Sequence, residues 1–175
     1  ETKSGIISAI KSAFGGVDSA IIQQWKAKVE VFQNGRERTI RENRDAGTTD
    51  VLRDNRANKV FRERRLRDER IINEKVQREL AGNDRERWEG VSYSPSLGGQ
   101  MEFLAAREHF ASFGYETVPI TNVPWNGCVD FGTKTVFIGE NDRNILFYTL
   151  SHETSHILSF QKNETVNVIK ASINI

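Results

Sequence analysis

Between Gly35 and Gly90, 29 of 56 residues are charged and only 14 are apolar. Such a segment cannot form a core of its own, because apolar burial must outweigh the entropy lost on ordering the chain. From Gly98 to Ile175 the balance reverses, with 33 of 78 residues apolar. The chain therefore divides into an amphipathic helical segment (1–34), a charged helical extension or linker (35–97) and a small globular domain (98–175). Its 25 Lys+Arg and 24 Asp+Glu leave a formal net charge of +1, which removes any global attraction for nucleic acid. No apolar run approaches the ~18 residues that cross a bilayer. Cys128 is the lone cysteine, so an intrachain disulfide is excluded. A lone thiol fits a reducing cytoplasm but also permits secretion, and the compartment stays unassigned. The chain opens with Glu1 rather than Met, as expected of a fragment or a processed product.

Ahead of the charged stretch, Ile7, Ile10, Phe14, Val17, Ile21, Trp25, Val29 and Phe32 step by three or four residues. This is amphipathic helical spacing, interrupted at Gly15–Gly16. The stripe at 5–32 needs a helical protein partner or self-association, and the same face would suit a membrane surface. Within 35–90, pairs such as Arg65/Glu69 and Glu74/Arg78 place opposite charges four apart. Each stabilises an exposed helix by about 0.2–0.5 kcal/mol. Gly47 marks a break and Gly82 a C-terminal stop. A helix from Asp50 to Ala81 would be roughly 48 Å long. Arginine far outnumbers lysine here, but the interleaved acids neutralise the same face and argue against a nucleic-acid clamp.

The last 78 residues alternate helix and strand signals. Met101–Phe113 has helical spacing and stops at Gly114. Glu116–Ile120 is extended, and Val123–Gly127 reads as a turn-rich loop. Cys128–Phe131 and Thr135–Ile138 flank Gly132-Thr-Lys134 and predict a β-hairpin. Asn141 or Asp142 would cap a helix running through Ile145, Leu146, Leu150, Ile157 and Leu158. Helix, strands, helix is the order of an α+β domain.

That final helix carries His152-Glu153-Thr154-Ser155-His156. Histidines four apart lie one turn apart on one face, so both imidazoles reach a single Zn²⁺ at about 2.0–2.1 Å. The adjacent Glu153 is placed to take a proton from a water activated by that ion. With three histidines in the chain, the pattern arises by accident in roughly 0.5% of such sequences. The competing reading is a pair of surface histidines on a polar helix.

Thr149-Leu-Ser-His-Glu-Thr-Ser-His-Ile-Leu158, preceded by Thr135-Val-Phe-Ile138, resembles the zincin metallopeptidases with a His-Glu-x-x-His helix. It is most similar to their minimal ImmA/IrrE-like and SprT-like kinds, including phage and toxin-associated forms, over residues 100–175. The resemblance implies a small zincin-like domain with His152 and His156 as zinc ligands and Glu153 as general base. It also implies that strand Thr135, Val136, Phe137, Ile138 is the edge along which a substrate peptide adds. For the third ligand, Glu164 is the sole acidic residue after His156. A turn at Gln161-Lys-Asn163 would fold a last helix back to bring it to the metal. Its other reading is a carboxylate at the start of a helix over 164–173. Asp130, Glu140 and His109 are the upstream alternatives, with His109 also readable as a packed histidine. Tyr148, four residues before His152, and Tyr115 are candidate oxyanion donors. Cys128 reads as a buried small hydrophobe. These features imply a zinc peptidase acting on a protein or peptide, carried as a delivered effector or virion-associated protein into the cytoplasm of a host or target cell. The alternative is a structural or assembly protein that works through its N-terminal helices, with an inactive zincin-like domain.

Overall fold

The computed structural model of the chain describes residues 18–46, 51–140 and 143–173, with side chains described at 23–38, 58–140 and 149–168. Gly15–Gly16, the stripe members Ile7, Ile10, Phe14 and Val17, the Gly47 break and the Asn141/Asp142 cap lie outside the described residues. So do the side chains of Ile21 and Tyr148.

The described chain forms, in order, α1 (Asp18–Ala46), α2 (Val51–Leu80), α3 (Arg85–Trp88), β1 (Ser92–Tyr93), α4 (Pro95–Gly98), α5 (Met101–Ala111), β2 (Glu116–Thr121), β3 (Gly127–Asp130), β4 (Thr135–Gly139) and α6 (Arg143–Ile173). The fold is α+β. Its sheet runs β1-β2-β4-β3, with β2 parallel to β4 and the other pairs antiparallel. None of its helices is long and apolar enough to cross a membrane, among the described residues.

Local chemistry sets the boundaries. Gly114, at φ +80°, ends the α5 region in a left-handed conformation that glycine adopts without penalty. At α4, Pro95 occupies the first turn and the Ser94 hydroxyl accepts the Leu97 amide at 3.1 Å. The β3–β4 turn is fastened by Asp130, whose Oδ1 accepts the Thr133 amide at 3.1 Å.

Alternation along the strands splits the core in two. Val136 and Ile138 join Trp25, Phe103, Ala106, Phe110, Leu150 and Ile157, under α1, α5 and α6. Phe137, with Val118 and Ile120, meets Ile72 of α2 and Trp88 of α3 on the opposite face. Each fully buried side chain of this kind contributes about 1.5–3 kcal/mol.

The extension at 35–97 does not stand outside the domain: the C-terminal half of α2 closes one face of the sheet. It does so with few apolar residues because ion pairs supply the rest. Arg107 of α5 donates to Asp68 at 2.7 Å, and Lys75 to Asp130 of β3 at 3.0 Å. In the described part of the N-terminal stripe, Trp25 is buried, and Val29 and Phe32 pack beside it.

Candidate metal centre and its edge strand

The motif lies in the middle of α6, where the helix passes over the start of β3. Gly127 permits that approach. A β-carbon placed on it would stand 2.7 Å from Thr149 Cγ2 and 2.9 Å from Glu153 Oε1, closer than packed atoms tolerate. Thr149 and Glu153, one turn apart, therefore form the inner face of the helix. Glu153 is 4% exposed. Burial pushes its carboxyl up to about 7, against the opposing charge of Arg87, which places it in the range of a general base at neutral pH.

His152 and His156 come off the adjoining face. Their Nε2 atoms are 2.9 Å apart, with ring centroids at 4.5 Å and ring planes nearly perpendicular. His152 is half-buried and His156 exposed. Burial, then the neighbouring His156, lowers the pKa of His152. Two nitrogens at tetrahedral positions 2.0–2.1 Å from zinc would be about 3.3 Å apart. The observed 2.9 Å is within about half an ångström of that separation, so the pair could serve as two donors to one zinc ion.

The helix is held in place from behind. Thr154, in the middle of the motif, is fully buried. Its single hydroxyl hydrogen goes to the Leu150 carbonyl at 2.6 Å, while His109 Nε2 lies 3.1 Å from the same oxygen. Thr154 Oγ1 must then accept, which requires a proton on His109 Nε2. Burial, with Lys28 adding to it, lowers the His109 pKa to about 4.

The further donors anticipated for the metal are not brought to this pair. Helix α6 continues unbroken through Gln161–Asn163, so the expected turn is absent. Glu164 lies eight residues beyond His156, roughly 12 Å along the axis, and is exposed. It acts instead on Tyr115, a buried core residue whose hydroxyl is held above its ordinary value by burial and then by the Glu164 charge. Asp130 alternates onto the opposite face of the sheet, where Lys75 and Arg78 hold it. Glu140 accepts the Ser94 hydroxyl at 2.7 Å, and His109 is committed to Thr154. Cys128 faces the Trp88 side of the sheet and is raised by burial. Among the described residues no group of three His, Cys, Asp or Glu could hold a metal ion.

The expected substrate edge also moves. Thr135, Val136, Phe137 and Ile138 are all buried in β4, which is hydrogen-bonded on both sides. The strand at the end of the sheet beside the motif helix is β3. The Gly139 amide donates to the Asn126 carbonyl at 2.8 Å, making 126/139 a hydrogen-bonded pair. By antiparallel alternation, Gly127 and Val129 then direct their amides and carbonyls outward.

Sequence reasoning passed over Arg87 and Trp125 at this end of β3, where the Arg87 guanidinium carbon lies 4.8 Å above the indole. An aromatic residue in a turn-rich loop just ahead of a strand was the available signal. No family model, curated protein or solved structure matches the chain.

Proposed function

We propose that the chain is a zinc-dependent peptidase with a zincin-like domain, cleaving a peptide bond with Glu153 as general base. The observation that carries this reading is the pair of Nε2 atoms 2.9 Å apart beside a buried carboxyl on a helix that passes over the terminal strand of the sheet, among the described residues. His152 and His156 would hold the zinc. When bound, the ion would polarise the scissile carbonyl and acidify the attacking water.

The chain's own residues account for the rest. Gly127 and Val129 offer outward backbone groups to an extended peptide, fixing its register without reading its sequence. Glu153 accepts the proton of the attacking water. It returns that proton to the amine nitrogen as the carbon–nitrogen bond breaks. His109 and Thr154 keep the helix, and so the carboxyl, at a fixed distance from the edge strand. A catalytic unit behind a long charged helix supports a delivered or virion-associated setting.

Glu153→Gln tests the reading. It should retain the fold and bound zinc while lowering hydrolysis of unfolded protein by at least about 10²-fold. Undiminished hydrolysis would remove Glu153 from the reaction. A second reading, as an assembly protein, is favoured by the apolar residues exposed on the helices: Val31, Val60, Phe61 and Leu66 are 70%, 61%, 51% and 59% exposed. It requires that Phe61→Glu with Leu66→Glu abolish self-association or partner binding while Glu153→Gln changes neither.

A further inference from the structure

Arg87 and Trp125 form a built feature where the free edge begins. Trp88, 1% exposed, packs edge-on against Phe137 of β4 with centroids 5.1 Å apart. Trp125 leans on Trp88 at 5.2 Å and donates its indole N–H to the Arg87 carbonyl at 3.4 Å. The exposed Arg87 side chain then lies over that indole. Core packing thus fixes the indole from beneath, and the indole fixes the guanidinium. A guanidinium held by its face keeps in-plane N–H groups for a carboxylate, and the stacking removes part of the entropy of binding one. Among the described residues, no carboxylate forms an ion pair with Arg87.

Alternation determines what this cation would meet. A peptide residue opposite Gly127 directs its side chain to the face of α6, toward Glu153. Its neighbours direct theirs to the other face, where Trp125 packs.

We propose that Arg87 and Trp125 are a specificity subsite for an acidic side chain of a peptide laid along β3, within two residues of the scissile bond. This rests on the peptidase reading above. The substrate class is then an extended peptide carrying Asp or Glu beside the cleaved bond.

The test is cleavage-site profiling of the zinc-loaded full chain on a synthetic peptide library, read by mass spectrometry. Asp and Glu should be enriched about tenfold at one position within two residues of the cut, the effect of one charge-assisted contact. Arg87→Gln should abolish the enrichment, Arg87→Glu should replace it with Lys and Arg, and Trp125→Leu should weaken it. In parallel, zinc-loaded Glu153→Gln should capture acidic over basic peptides on an array, with Arg87→Glu added to it reversing the order. Cleavage without acidic enrichment, or an unchanged profile in Arg87→Glu, overturns the subsite and leaves the peptidase reading standing. Neither cleavage nor capture of any peptide overturns both.

Discussion

The two faces of the sheet are covered by helices of opposite character. Under α1, α5 and α6 the core is nearly all apolar, and the principal buried polar contact is His109 with Thr154. Under α2 and α3, two apolar anchors, Ile72 and Trp88, share the work with the Asp68–Arg107 and Lys75–Asp130 pairs. The difference teaches how a helix of mean charged character still belongs to a fold. What matters is the few positions that face the sheet, and there α2 offers Asp68, Ile72 and Lys75 at intervals of four and three. Where burial works against charge, partners decide the outcome. Burial raises the Asp68 carboxyl more than Arg107 lowers it. Lys75 is likewise opposed by burial, but its hydrogen bonds to Glu79 and Asp130 hold it above its ordinary value.

Breaking that pairing should have the largest effect on stability. Asp68→Ala leaves the Arg107 guanidinium half-sequestered without its partner, and should cost about 3–4 kcal/mol in denaturant unfolding. Asp68→Leu with Arg107→Met should recover most of it. If Asp68→Ala is neutral, the α2 face is held by its apolar anchors alone.

The other face should respond to acid. Unfolded His109 takes a proton near pH 6.5, whereas the folded residue does so near 4. Between those values this residue binds more protons in the unfolded chain, so its own contribution to stability falls as the pH falls through that window, opposed by the buried Glu153, whose raised carboxyl acts in the other direction. The loss is on the order of 3 kcal/mol at completion. His109→Gln keeps a donor for Thr154 and should remove this contribution, so that the variant gains stability relative to the parent as the pH falls from 6.5 to 4. Parallel pH profiles for the two proteins would place the sensitive contact elsewhere.

A smaller change probes the join between α6 and the sheet. Gly127→Ala inserts a methyl 2.7 Å from Thr149 and 2.9 Å from the Glu153 carboxyl. It should cost about 1–3 kcal/mol, the usual range for overpacking, and displace Glu153. A melting temperature equal to that of the parent would show that α6 rides freely over β3.

Much of this was legible because local chemistry decides it. The stop of α5 ahead of Gly114, the extended run from Glu116, the Asp130–Thr135 hairpin and the helical placement of His152–His156 all follow from turn residues and periodicity. The strand order did not follow, although Thr135-Val-Phe-Ile carried a clue. Its run of residues buried on both sides is the mark of an interior strand, not an edge. The turn at Gln161–Asn163 was expected to supply a third ligand, yet no Gly or Pro interrupts residues 143–173, so nothing stops the helix. The docking of α2 was hidden by its composition, which counts exposed and sheet-facing positions alike. The strand β1 and the helix α4, two and four residues long, are too short to carry a periodic signal.

Every role proposed for α6 depends on His152 and His156 holding a metal ion in a folded domain. Elemental mass spectrometry of the purified chain beside His156→Ala tests it most directly, with circular dichroism confirming that both are folded. Near-stoichiometric zinc is expected in the parent and should be lost in the variant. A folded parent that is zinc-free and cannot be reloaded would contradict it.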